Sequence, residues 1–190
     1  MPDLQSLLNE LTSGSDDRAE KVIPSIVEFG TAALPALLEL THSNSEDQRW
    51  WALRALAASP HVQTENLLPL LRDPSPQVRA AAALGLGLHP DQAAVPALIH
   101  ALGDEDGLTA SLAGGALVKI GGPAVTGLIE VMKGAPLSLR IIALRTLAEI
   151  RDHRAIPVLM QSMNEESAVL QYWAQTGLER LGLDMVYIKP

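Results

Sequence analysis

An alanine recurs at one register through most of this 190-residue chain. Successive copies lie 30, 31, 30 and 31 residues apart, and a leucine follows each alanine four residues later. A fixed period of this length indicates that one supersecondary unit has been copied along the chain. The alanines are Ala52, Ala82, Ala113, Ala143 and Ala174, and the leucines are Leu56, Leu86, Leu117, Leu147 and Leu178.

A second set of leucines stands 15 residues before these alanines: Leu37, Leu67, Leu98, Leu128 and Leu159. Another apolar residue follows each of these leucines directly, and in four repeats a further one recurs a helical turn later, as at Leu71 and Leu102. This spacing predicts a first helix with one buried face. Turn signals such as Asp73-Pro74-Ser75-Pro76 then separate it from the helix that carries the alanine. Each repeat is therefore predicted to be a helix pair.

Composition agrees with helices rather than strands. Apolar residues make up 47% of the chain and aromatic residues only 3%, which suits helices rich in alanine and leucine. The formal net charge of −8 repels a phosphate backbone, so a nucleic acid is not predicted as a partner. No run approaches the roughly 18 apolar residues of a membrane span, so no membrane partner is predicted and the expected location is cytoplasmic.

Two stretches resemble the HEAT-like repeats of the phycobilin lyase (PBS lyase) type. They are Leu71-Arg72-Asp73-Pro74-Ser75-Pro76-Gln77-Val78-Arg79 and Asp152-His153-Arg154-Ala155-Ile156-Pro157. The resemblance spans roughly residues 30–182. It implies an all-α fold, an α-solenoid in which about six antiparallel helix pairs form a right-handed superhelix with the second helices on the concave side. This repeat occurs in proteins with unrelated activities, so it predicts the fold and not the function.

The repeat boundaries predict one domain over residues 1–190. A degenerate capping repeat is expected over 1–29, with a first helix from Leu4 to Leu11, followed by five regular repeats over 30–182. The tail over 183–190 is expected to cover the other end of the stack, because end repeats would otherwise leave apolar faces in water.

The second helices carry further periodic positions. One flank has Arg49, Arg79 and Arg140 in equivalent places, and we predict that they form a structural ladder to carbonyls or acidic side chains of the adjacent turn. The other flank carries Trp51 and Trp173, which are predicted to pack between repeats. Gly114 and Gly115 interrupt the helix of one repeat, where each glycine costs about 1 kcal/mol relative to alanine.

The face opposite the first helix is the predicted binding site, a concave strip for a protein or peptide partner. Tryptophan, tyrosine and arginine are the side chains most enriched among interface hot spots. The sequence is also compatible with tight curvature that buries these residues against one another and leaves no open groove. The predicted partner-binding residues are Trp50, Arg54, Leu84, Ser111, Ile141, Arg145, Tyr172 and Thr176, with Ala80 and Gly115 completing the strip.

No catalytic, cofactor-binding or metal-binding residues are predicted. The five histidines fall in different repeats, and none forms a pair with a second histidine or a glutamate on one helix face. Two functions remain: a non-catalytic scaffold or adaptor and, as the resemblance implies, a bilin lyase or isomerase-like subunit. In the second, Arg54 or Arg145 would lie near the propionates of a linear tetrapyrrole and Trp50 or Tyr172 against its rings. A homodimer through a solenoid end or Val186-Tyr187-Ile188 is left open.

Overall fold

The computed structural model describes residues 2–183, which are helical throughout, with short 3₁₀ turns and loops between the helices. The helices are α1 (Leu4–Leu11), α2 (Asp16–Val27), α3 (Leu34–Leu40), α4 (Glu46–Ala58), α5 (Thr64–Leu67), α6 (Pro76–Leu88), α7 (Val95–Ala101), α8 (Gly107–Ile120), α9 (Val125–Met132), α10 (Leu137–Ile150), α11 (Ile156–Ser162) and α12 (Ala168–Arg180). They form six consecutive pairs. The predicted all-α solenoid of HEAT-like repeats is confirmed, and the predicted first helix coincides with α1.

Polar residues in the turns start the second helices. Ser45, Ser75, Asp106 and Ser167 each accept a hydrogen bond from a backbone N–H in the first turn of α4, α6, α8 and α12. Such caps satisfy backbone donors that have no acceptor within the helix. Turn residues that sequence patterns mark as helix boundaries therefore have a defined hydrogen-bonding role.

The chain forms two compact units, the first ending at His89 and the second beginning at Pro90. Within the first, α4 packs against α2 and α6. Within the second, α10 packs against α8 and α12. Second helices of successive repeats are thus neighbours inside each unit. The single domain with its capping repeat and tail stays a prediction, and residues 184–190 of the tail lie outside the described residues.

The periodic alanines and leucines form the core. All five alanines, the leucines four residues after them and the first-helix leucines are at most 1% exposed. Alanine at the repeated position allows close approach of neighbouring backbones, while the leucines fill the space between helices. Burial of one leucine side chain contributes about 1.5–3 kcal/mol, so the periodic leucines contribute a substantial part of the driving force for folding.

Prolines shape the first helices. Pro35, Pro96 and Pro157 lie in the first turn of α3, α7 and α11, where the missing N–H has no acceptor anyway. Pro69 lies outside this register, and there α5 ends at Leu67 and gives way to a 3₁₀ turn over Leu68–Arg72. The irregular first helix of this repeat is therefore explained by one displaced proline.

The arginines on one flank form the predicted ladder. Arg49 donates from Nε to Asp73 Oδ2 at 2.7 Å and from Nη2 to Oδ1 at 2.8 Å. Arg140 donates from Nη1 to both carboxylate oxygens of Glu165, at 2.8 and 2.7 Å. Both acceptors lie in the turn of the following repeat, whereas Arg79 donates to the backbone oxygen of Asp73 in its own repeat at 3.0 Å. These side chains hold turns and neighbouring repeats together.

Burial opposes ionisation of the Asp73 carboxyl, whose side chain is 5% exposed. The hydrogen bonds from Arg49 and from the N–H of Ser75 outweigh that effect, so the pKa of Asp73 lies below its usual range. In return, the hydrogen bonds to Asp73 raise the pKa of Arg49. The pair is therefore charged on both sides at neutral pH.

Only one of the two adjacent glycines in α8 lies at a close contact with another helix. A Cβ added to Gly114 would lie 3.2 Å from Thr146 Oγ1 of α10 and 3.6 Å from Leu102 Cδ2. A Cβ added to Gly115 would meet nothing within 4 Å. Helix α8 continues through both glycines. Gly114 thus allows α10 to approach, while Gly115 lies on an exposed part of α8.

Among residues 2–183 no single helix is both long and apolar enough to cross a membrane. One pair of segments, Gly107–Ile120 and Gly122–Met132, reaches the required length and composition together but is bent by 117°.

Candidate partner-binding site

The residues of the predicted strip are accessible to different degrees. Tyr172 is 61% exposed and Leu84 is 48% exposed, and Ser111 and Gly115 are exposed as well. Ala80 is buried. The remaining members are half-buried: Trp50, Arg54, Ile141, Arg145 and Thr176. Within each compact unit the second helices thus keep aromatic, aliphatic and arginine side chains in contact with solvent. Their joint role as one concave binding strip stays a prediction.

Two aromatic pairs have the same arrangement in different units. The rings of Trp50 and Trp51 lie 4.7 Å apart at 89°, and those of Tyr172 and Trp173 lie 5.2 Å apart at 74°. Edge-to-face geometry of this kind is favourable because a positive ring edge meets a negative ring face. Trp51 is 5% exposed, which confirms its predicted place in the core, and Trp173 is half-buried. The inner ring of each pair therefore holds its more exposed neighbour in place.

The two arginines of the strip differ in their surroundings. Arg54 Nη2 donates to Glu20 Oε1 at 2.9 Å, and the two side chains are 41% and 55% exposed. Arg145 Nη2 lies 3.8 Å from the position that a Cβ on Gly114 would occupy. The charge of Arg54 is thus partly neutralised by a neighbour, whereas Arg145 lies beside Gly114.

The first compact unit contains a cleft of about 500 Å³ beside the tryptophan pair. Its lining brings together the N-terminal turns of three second helices: Asp16 of α2, Glu46 and Asp47 of α4, and Gln77 of α6, with Trp50 and Trp51. The cleft combines an aromatic surface with three carboxylates. We call this the tryptophan cleft.

One of these carboxylates has a fixed position. Glu46 Oε1 accepts a hydrogen bond of 2.7 Å from Ser75 Oγ, which is buried at the start of α6. Asp16 and Asp47 are exposed, and neither has a salt-bridge partner among residues 2–183. Among the described residues, no lysine or arginine lines the cleft. Its charge is therefore negative at neutral pH.

Sequence reasoning identified Trp50 but missed the acidic part of the cleft. Asp16 and Glu46 stand three residues before the ladder position of their repeats, and Asp47 and Gln77 stand two residues before it. Equivalent positions in adjacent repeats come together when second helices pack side by side. The equivalent positions of these residues in adjacent repeats were visible in the sequence. Acidic residues are, however, common in the first turn of any helix because they complement the helix dipole, so these positions did not by themselves indicate a binding site.

Two aspartates in the turns between repeats act as caps. Asp91 and Asp152 each accept a backbone N–H at the start of a 3₁₀ turn, and Asp152 also pairs with Arg154 Nη2 at 2.7 Å. The hydrogen bonds from Arg154 lower the pKa of Asp152 to about 2. His89 Nε2 lies 2.9 Å from the backbone oxygen of Ala57. Within the described part of the chain, no group of three His, Asp or Glu residues is placed to hold a metal ion.

The helix pairs and their repeated core define an α-solenoid, and family models agree with this class. A model of HEAT repeats matches residues 64–138, and a model of the PBS lyase HEAT-like repeat matches residues 139–165. The chain therefore belongs to the HEAT-like repeat proteins, with a repeat of the PBS lyase type.

Particular proteins are similar to this chain. It is 35% identical over 88 residues to the phycocyanobilin lyase subunit beta of Nostoc sp. strain PCC 7120, a match over 46% of this chain and 44% of that subunit. The chain thus matches less than half of that relative's length.

Solved structures share the fold. The complex of CpcE and CpcF of phycocyanin lyase from Nostoc sp. PCC7120 matches with a TM-score of 0.58 at 23% identity, over 75% of this chain and 96% of that chain. Kap121p bound to Ste12p matches with a TM-score of 0.60 at 18% identity, over 95% of this chain and 24% of that one.

Proposed function

We propose that this protein is a non-catalytic scaffold or adaptor that binds a partner protein or peptide along the concave face formed by its second helices. The observation that carries the proposal is the paired aromatic arrangement in both compact units. In each, an inner tryptophan supports an outer ring, Trp50 or Tyr172, that stays accessible. A ring held in this way loses little conformational entropy on binding, so it is an effective anchor for a partner.

The fold is compatible with this function. CpcE forms a complex with CpcF, and Kap121p binds Ste12p. The net charge of −8 favours a protein over a nucleic acid as the partner. A second copy of this chain is one such partner, and the cytoplasm is the proposed location.

The proposal predicts a partner whose capture depends on the outer rings. Immobilised wild-type protein is expected to retain a defined protein from the native cell extract, and the Trp50→Ala/Tyr172→Ala variant is expected to lose it. Loss of two aromatic anchors weakens binding by about 2–4 kcal/mol, which is about 30- to 1,000-fold. The measurement is quantitative mass spectrometry of the retained proteins, after circular dichroism has shown that the variant is folded.

The matched control is Phe29→Ala/Leu137→Ala, which removes two exposed apolar side chains outside the strip. This control is expected to retain the same partner as the wild type. If the strip variant and the wild type retain identical proteins, binding along the second helices is wrong.

A second candidate, a bilin lyase-like subunit, is favoured by the 35% identity to the phycocyanobilin lyase subunit beta. Arg145 and Tyr172 are the residues proposed to meet the propionates and rings of a linear tetrapyrrole, because Arg54 already contacts Glu20. Wild-type protein is then expected to shift and intensify the visible absorbance of added phycocyanobilin, and Arg145→Glu is expected to weaken that change by about tenfold.

Glu20→Gln is a useful comparison in the pigment titration, since it releases Arg54 from its carboxylate partner without touching Arg145. It is expected to leave binding unchanged or slightly stronger. An absorbance spectrum that stays the same at saturating pigment would exclude the pigment-binding function.

A further inference from the structure

We infer that the tryptophan cleft of the first compact unit is a docking site for an arginine- or lysine-bearing segment of a partner protein. The inference rests on the proposed partner-binding function and adds the chemistry of the ligand. It concerns the lining already defined, in which Trp50 and Trp51 lie beside Asp16, Glu46 and Asp47.

The size and lining of the cleft suit a side chain rather than a folded surface. The cleft has a volume of about 500 Å³ and is open to solvent, so one side chain of an extended segment can enter it directly. A long side chain with apolar methylene groups and a charged end would match its composition, because the methylenes can lie against the indoles while the charge meets the carboxylates.

Charge complementarity selects a cation. Three carboxylates and a glutamine line the cleft together with the indoles, and none of the lining residues within 2–183 is a lysine or arginine. The faces of tryptophan rings attract guanidinium and ammonium groups, and a guanidinium also forms paired hydrogen bonds with a carboxylate. The same carboxylates repel the propionates of a bilin or any phosphate group. The cleft therefore favours a basic segment over the anionic ligand of the second candidate function.

Two of the three carboxylates are also available for a ligand. Asp16 and Asp47 have no salt-bridge partner within residues 2–183, so a cation need not displace one. Ser75 donates a hydrogen bond to Oε1 of Glu46, and Oε2 of Glu46 takes no part in that bond. Trp50 is held edge-to-face by the buried Trp51. Glu46 and Trp50 are thus held in position before a cation arrives, which lowers the entropic cost of binding.

The test uses a capped nine-residue peptide of alternating glycine and arginine, titrated against the full chain and followed by tryptophan fluorescence and calorimetry. We expect binding that weakens several-fold when salt rises from about 0.05 to about 0.3 M, since screening reduces charge attraction. Asp16→Asn/Asp47→Asn is expected to weaken binding about three- to tenfold, and Trp50→Ala about fivefold or more. Gln77→Lys, at an exposed position, is expected to abolish it.

The matched control is Asp17→Asn/Glu28→Gln, which makes the same change in net charge at exposed positions outside the cleft. It is expected to bind the peptide like the wild type. Equal weakening in this control would mean that peptide binding depends only on the net charge of the protein, which would overturn the inference. Absence of binding to the wild type, or tighter binding of a glycine–glutamate peptide, would also overturn it. If Trp50→Ala does not fold, Gln77→Lys still tests the inference, because it adds a positive charge to the cleft at an exposed position.

The experiment also separates this inference from the proposed function. Tyr172→Ala, in the other compact unit, is expected to reduce partner capture and leave peptide binding unchanged. If Tyr172→Ala reduces capture while the arginine peptide does not bind to any variant, the adaptor function stands and the basic-segment inference is wrong.

Discussion

Replacing Asp73 by asparagine is expected to lower the free energy of unfolding by about 2–4 kcal/mol. Asp73 accepts two hydrogen bonds from Arg49, and the two side chains are 5% and 12% exposed. The substitution leaves a buried guanidinium without its counter-charge, whereas the amide still accepts the N–H of Ser75. Urea unfolding followed by circular dichroism measures the difference.

Glu130→Gln is the matched control, because it neutralises the partner of Lys133 in a pair whose side chains are 61% and 65% exposed. We expect a change below about 0.5 kcal/mol, as for most exposed ion pairs. A loss from Asp73→Asn no larger than that of the control would show that the ladder contributes little to stability.

The lowered pKa of Asp73 predicts the pH dependence of this difference. A carboxyl whose pKa is lower in the folded state stabilises the fold above its unfolded pKa, about 3.9, and loses that contribution as the pH falls through the folded value. The gap between wild type and Asp73→Asn should therefore be complete at pH 7 and narrow below about pH 4. A gap that stays constant down to pH 2 would contradict this account.

Replacing Gly177 by valine is expected to lower the free energy of unfolding by about 2–3 kcal/mol. Gly177 lies in α12, where an added Cβ would stand 2.8 Å from Leu159 Cδ2 and 3.0 Å from Ala148 Cβ. The leucine tip can move, but the Cβ of Ala148 is bonded directly to the α10 backbone and has no rotamer to change, so α12 itself would have to shift. Chemical unfolding of the purified variant measures this loss.

Gly115→Ala provides the contrast within the same unit, because an added Cβ there meets nothing within 4 Å. It is expected to raise the free energy of unfolding by about 1 kcal/mol through helix propensity alone. Stability that rises in both variants would mean that α12 does not pack tightly on α10 and α11.

Periodicity alone predicted the helix pairs, the buried alanines and leucines and the arginine ladder. Each of these depends on contacts that recur at the same register in successive repeats, so one correct alignment of the sequence with itself predicts them all. The detailed partners were less predictable. Acidic side chains of an adjacent turn were predicted as acceptors in general, and among them Arg49 contacts Asp73 of the next repeat. Helix packing determined that choice.

The candidate site was likewise predicted only in part from the sequence. Trp50 and Tyr172 were predicted from their helical positions, and their solvent contact agrees with a surface role. The tryptophan cleft was not predicted, since Asp16, Glu46 and Gln77 are up to 61 residues apart in the chain. Each lies in the first turn of a helix, where acidic and polar residues are common and do not by themselves indicate a binding site.

The sequence by itself determined a solenoid of HEAT-like helix pairs, because a hydrophobic pattern with a period of about 30 residues can be buried only by stacking equivalent helices. Only the tertiary structure decided which side chains of different repeats meet: the bidentate pairing of Arg49 with Asp73, the close approach at Gly177, and the carboxylates gathered around Trp50. Such contacts depend on the distances and rotations between packed helices, which a one-dimensional period does not contain.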